Sequence, residues 1–373
     1  MKRSILIIIL CLLLCSCGAE QSATTGTEST AMAEPSAAMT VEGVRTLHPG
    51  ATEKAALLPQ SNTMTDFRET DEADYFLYEN LLYVRPLGTN RFYPLCSKPN
   101  CLHNSPDCNA WAGIAFGWWN GALYGVTMDA GMQLVQIAPD GSDHTVLANI
   151  SAGNYCRFHD GTLYAFVLPD ESLPLEQQRS RLVMTDLETL AQTEPFETAL
   201  EGGARFALSD RFYGGKLYST MEWPDEKLQQ SSIWLTELDP AGGTVRRLVE
   251  HLGPWYCEND ILYYFEPDTG FTEYHLKTGE AVSYAAPVSD GWYALYDAEY
   301  IYLVSQDQGD DLTHMLYLLS RDYRELDRIP LENGFMPAYI SSAELFFTAD
   351  GFLTKVMDKS QIGSGELELL PLN

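Results

Sequence analysis

Basic residues are scarce in this chain: 23 Lys and Arg stand against 52 Asp and Glu, a formal net charge of −29. A surface of that sign repels phosphate, which excludes nucleic acid as a partner and leaves anionic lipid headgroups with no basic patch to hold. The local signatures of familiar enzymes are missing too, with no Gly-x-Ser-x-Gly elbow, His-Glu-x-x-His helix, Walker loop or Gly-x-Gly-x-x-Gly turn. No residue is therefore singled out as catalytic, and no organic cofactor is expected. No run of spaced Asp and Asn with a Gly and a distal Glu matches a calcium loop, so the acidity is read as a solubilising surface. The apolar run Ile5 to Leu14 is too short to span about 30 Å of hydrocarbon comfortably, and no aromatic residue precedes Phe67.

What is present at the start is an export signal. Lys2 and Arg3 form a positive n-region, Ile5 to Leu14 an apolar h-region, and Leu14-Cys15-Ser16-Cys17 resembles a bacterial lipoprotein box. Residues 1–17 are expected to be a signal peptide with Cys17 as the lipidated residue. The expected address is the extracytoplasmic face of the cell membrane, held by the N-terminal lipid. Loss of Lys2 and Arg3 would leave 21 basic residues against 52 acidic ones, a net charge of −31. Residues 18–65, rich in Ala, Ser, Thr, Glu and Gly, cannot bury enough apolar surface to offset their ordering entropy and are expected to form a flexible stalk.

The remainder, residues 66–373, repeats. A turn pair, an apolar residue and then Tyr or Phe recur at Glu79-Asn80-Leu81-Leu82-Tyr83, Asn120-Gly121-Ala122-Leu123-Tyr124, Asp160-Gly161-Thr162-Leu163-Tyr164 and Gly214-Gly215-Lys216-Leu217-Tyr218. Three more copies end at Tyr263, Tyr302 and Phe346, and the spacings between successive aromatic positions are 41, 40, 54, 45, 39 and 44 residues. Such a period suits a four-stranded propeller blade. Within the second copy, Ala115 to Trp119, Leu123 to Val126, Gln133 to Ile137 and Thr145 to Leu147 read as strands separated by turn signals. The expected fold is all-β, a seven-bladed β-propeller, closed by pairing of a strand near Asp74 to Leu77 with Glu366 to Leu370. The long segments Pro169 to Gln178 and Trp223 to Gln230 are expected to project as loops, where binding residues tend to lie.

One chemical constellation stands out. Cys96, Cys101, His103 and Cys108 fall within thirteen residues. Three sulfurs and an imidazole make a tetrahedral zinc set, although the C-x4-C-x-H-x4-C spacing departs from the common C-x2-C knuckle. An exported protein equally oxidises its thiols, so a disulfide among Cys96, Cys101 and Cys108 is the alternative to a structural zinc ion. Cys156 and Cys257, beside strand-like Tyr155 and Tyr256, are expected to be buried packing residues.

The run Phe67-Arg68-Glu69-Thr70-Asp71, the strand Tyr75-Phe76-Leu77, the Leu82-Tyr83 pair and Leu95 to His103 through Cys108-Asn109-Ala110 resemble a family of β-propeller lipoproteins of Gram-positive bacteria, broadly similar to TolB-like propellers. The resemblance implies the same fold and surface location and carries over no catalytic residue. Two functions fit these observations. The first is a surface-anchored, non-enzymatic binding or scaffolding module for an envelope protein, peptide or cell-wall component. The second is an extracytoplasmic glycan- or peptide-acting hydrolase or lyase whose carboxylates, contributed by different blades, meet at the propeller mouth.

Overall fold

A computed structural model describes residues 67–372 apart from 154, 168, 169, 171, 174–179, 197–204, 226–229, 252, 307–313, 333 and 350. The expected signal peptide, Cys17 and the stalk lie outside the described residues. The domain is all-β, with seven four-stranded antiparallel sheets, each built from four consecutive strands. These form a seven-bladed β-propeller, in which the first strands of neighbouring blades pack against one another. The one helical element described is a single 3₁₀ turn, Lys359–Gln361.

Blade 1 comprises β1 (Phe67–Glu69), β2 (Ala73–Tyr78), β3 (Leu81–Pro86) and β4 (Tyr93–Pro94), and blade 2 comprises β5 (Phe116–Trp119), β6 (Ala122–Thr127), β7 (Gln133–Ile137) and β8 (His144–Asn149). The β5–β6 turn is Asn120-Gly121, with φ of 48° and 77°, the doubly positive conformation that a two-residue hairpin requires. In blades 2–7 the recurrent motif marks this same turn. The residue after the turn's exit is Leu123, Leu163, Leu217, Leu262, Ile301 or Leu345, each at most 1% exposed. Full burial of such a side chain contributes about 1.5–3 kcal/mol, so the recurring leucine is the main apolar anchor of each second strand.

Blade 1 departs from this phase. Glu79-Asn80 lies between β2 and β3, one strand later than in the other blades. The equivalent first turn is Thr70-Asp71-Glu72, which makes Tyr75 the true counterpart of Tyr124, 49 residues away. Asp74 then occupies the position of the buried leucine. Its carboxylate is fully buried and accepts from Arg85 Nε at 2.9 Å, while the same guanidinium reaches Glu344 in blade 7. Burial holds the Asp74 carboxyl up to about 7 despite the Arg85 charge beside it.

Among the described residues the ring is not closed by strand exchange. β2 pairs only with β1 and β3, and the final strand, Leu370–Pro371, pairs with Phe352–Asp358 of its own blade. Both terminal blades already hold four strands, so neither offers an edge position for the other to fill. Side chains make the join instead. Phe67, Phe76 and Phe92 of blade 1 cluster with Tyr339, Phe346 and Val356 of blade 7. The Glu69 carboxylate accepts the Ser342 backbone N–H at 2.6 Å and also the Ser342 hydroxyl.

Because strands alternate in direction, turns between first and second strands open on one end of the ring. Hairpins between second and third strands, and the connections between blades, open on the other. The first set is uniformly tight, at 70–72, 120–121, 160–161, 214–215, 259–260, 297–299 and 341–343. The second set contains, among the described residues, 79–80, 95–115, 128–132, 267–269 and 285–290. Of the segment Trp223 to Gln230, expected as a loop, Trp223–Asp225 and Gln230 belong to strands paired from Leu217 with Leu238 to Asp225 with Gln230, and 226–229 lie outside the described residues.

Candidate metal centre

The longest connection between blades, residues 95–115, carries the cysteine segment. It leaves β4 at Leu95, whose N–H donates to Leu82 O at 2.8 Å, and returns alongside β3, where Leu82 N–H donates to Ala110 O at 2.8 Å. Between these anchors Asn100 and His103 adopt positive φ, 58° and 53°. Left-handed backbone is cheap for Asn and costlier for most side chains with a Cβ, and here the two bends turn Cys101 and His103 toward the same centre as Cys96 and Cys108. Leu102 between them is consequently thrown outward, 81% exposed.

The ligand atoms of Cys96, Cys101, His103 and Cys108 all lie within 4.8 Å of one another, and His103 Nδ1 is 3.4 Å from Cys108 Sγ. Donors about 2.3 Å from a shared tetrahedral ion stand roughly 3.8 Å apart, so this set can hold a metal. The sequence-predicted quartet is thus brought together in space. Among the described residues no other group of three or more His, Cys, Asp or Glu has this property. The described cysteines are free thiols.

Backbone N–H groups aim at the sulfurs. Ala110 N–H donates to Cys108 Sγ at 3.4 Å. Burial works to raise the Cys96 thiol, but the N–H groups of Lys98 and Asn109, with the Cys108 and Cys101 thiols, bring it below the ordinary thiol range. Cys108, more deeply buried, is pushed up to about 12 by desolvation. Burial also lowers His103, favouring the neutral imidazole that binds metal. Four protein donors leave no position for a reacting water, which makes this a structural set and not a hydrolytic one.

Cys156 and Cys257 lie in the first strands of blades 3 and 5, at 1% and 0% exposure, packed in apolar clusters and raised to about 12 by burial. In metal-free native protein a maleimide should therefore label Cys96 and Cys101 first and spare Cys156 and Cys257 until denaturant is added. Peptide mapping of the labelled protein checks this, and early modification of Cys257 would contradict the burial. Of the adjacent acidic residues Asp170-Glu171 and Asp310-Asp311, all but Asp170 lie outside the described residues. Asp170 is exposed and accepts from Ser172 N–H at 2.9 Å and its hydroxyl at 2.6 Å, a local turn contact.

No protein-family model matches the chain, and no curated protein matches it. Among solved structures it is similar to the computationally designed Ika8 protein, at 11% identity and a TM-score of 0.48 over 83% of this chain and 86% of that one. BamB from Moraxella catarrhalis is similar at 11% identity and a TM-score of 0.41, covering 79% and 84%. The β-propeller domain of the trilobed protease from Pyrococcus furiosus is similar at 11% identity and a TM-score of 0.44, covering 86% and 97%.

Proposed function

We propose that this chain is a lipid-anchored, extracytoplasmic β-propeller that works as a non-enzymatic binding or scaffolding module for an envelope protein, peptide or cell-wall component. The reading belongs with the Gram-positive propeller lipoproteins that the sequence resembles. Cys17 is its lipidated residue, residues 18–65 its stalk, and Zn²⁺ the structural ion of the cysteine segment. The observation that carries it is the difference between the two ends of the ring. Every turn nearest the axis at one end is two or three residues long, whereas the 21-residue connection 95–115 opens on the other. A rigid ring that carries a long, largely strand-free connection is a scaffold suited to recognition.

Two measurements test the reading. A Cys17→Ser variant is expected in the medium or soluble fraction and not the membrane pellet; unchanged pelleting would remove the lipid anchor. Crosslinking on intact cells, followed by mass spectrometry, should recover a specific partner from the parent. A variant with residues 168–180 replaced by a two-residue turn should lose that partner while keeping its melting temperature. Equal capture by both would move the binding surface elsewhere.

A further inference from the structure

One carbonyl of the next blade takes three hydrogen bonds from the cysteine segment. Gly141, in the turn between β7 and β8, offers a carbonyl that accepts Ser97 N–H at 3.1 Å, the Ser97 hydroxyl at 3.0 Å and buried Asn109 Nδ2 at 2.7 Å. Ser97 follows Cys96, and Asn109 follows Cys108. Each arm of the segment thus carries a metal donor directly beside a residue that holds blade 2. A further bond ties the same region, His144 Nε2 lying 2.9 Å from Trp111 O.

Residues 95–115 contain no paired strand of their own beyond isolated bridges at Trp111 and Gly113. Ordering such a length costs about 1–2 kcal/mol of backbone entropy per residue, which a handful of turn hydrogen bonds offsets poorly. A metal bound by one donor from each arm and two from the loop between them closes that loop covalently in effect and fixes both arms at once.

We infer that one Zn²⁺ held by Cys96, Cys101, His103 and Cys108 is the latch between blades 1 and 2, setting Ser97 and Asn109 on the Gly141 carbonyl. The inference rests on the zinc reading above and adds a role to it. Thiolates and a neutral imidazole suit zinc, and binding releases the thiol protons to solvent with no change of oxidation state.

The test uses full-length protein purified under reducing conditions. Metal analysis is expected to find one zinc per chain. After chelation, hydrogen exchange at the amides of 97–111 and 138–144 is expected to quicken by about tenfold or more, while blades 4–6 keep their protection. Less than about a tenth of an equivalent of any metal, or a disulfide among the three cysteines, would overturn the zinc reading itself. One zinc per chain with unchanged exchange at 138–144 after its removal would leave the zinc in place and overturn the latch. Because ligand variants can fail to fold, Asn109→Ala serves as the second probe. It is expected to keep a full equivalent of zinc and still lose protection around Gly141, and undiminished protection there would also count against the latch.

Discussion

Arg85→Ala is expected to destabilise the propeller by about 3–5 kcal/mol, the cost of leaving a buried ion pair half made. Arg85 is 3% exposed and is held between Asp74, itself fully buried, and Glu344 of the last blade, with its guanidinium 4.8 Å from the centre of the Phe346 ring. Removal leaves two carboxylates facing the closing seam with no cation between them. A shift of the urea midpoint, at unchanged slope, is the readout, and a midpoint equal to the parent's would refute the account. The double variant Asp74→Leu with Arg85→Met should recover most of the loss, because leucine is what the other blades use at this position. The pH dependence follows from the same carboxyl. Its folded-state value, raised from 3.8 to about 7, means that its contribution is fully present below about pH 4 and is lost as pH rises toward 7. In Asp74→Asn the melting temperature between pH 5 and 8 should be flatter than in the parent.

Gly141→Ala carries the second large effect, roughly 2–4 kcal/mol. The glycine sits at φ 69°, and a Cβ there would stand 2.7 Å from Leu95 O and 2.9 Å from Cys96 N. Both obstacles are backbone, so relief requires moving the arm that bears Cys96. The metal should feel the displacement, with zinc affinity falling about 10- to 100-fold, as is usual when groups supporting metal ligands are disturbed. Competition with a chromophoric chelator measures the affinity, and denaturant titration the stability. An alanine variant matching the parent in both would mean that the Gly141 contact fixes neither the loop nor its donors.

Six of the seven motif copies marked the first turn of their blades correctly, because each sets a turn just ahead of a buried leucine or isoleucine and an aromatic residue on one strand, and in blades 2–5 that turn is left-handed at both positions. The first copy misled for a physical reason. Asp74 replaces the leucine, so the true turn at Thr70 to Glu72 carries no apolar signal, while Glu79-Asn80 supplies a second left-handed hairpin with Leu82 and Tyr83 behind it. Closure by strand exchange, expected from the sequence, is not what the described strands do, and this was illegible because strands of period two do not declare their partners. The contacts that make the join, Glu69 with Ser342 and Arg85 with Glu344, are separated by 273 and 259 residues. The candidate donor set was legible from residue type alone, which left a disulfide and a structural zinc ion both open. Its convergence was not, since that depends on left-handed backbone at His103, a conformation no neighbouring residue announces.

Each blade is an uninterrupted stretch of chain, from β1 to β4 in the first and from Met336 to Pro371 in the last. A chain that emerges with its N-terminus leading can therefore finish one sheet before the next has left the exit, without holding an edge open for a strand still to come. The aromatic seam, the Arg85 cluster and the Glu69–Ser342 bonds must wait for the final blade. The same contiguity means that new ends cut in any interblade connection, with the old ones joined, would leave all seven sheets whole.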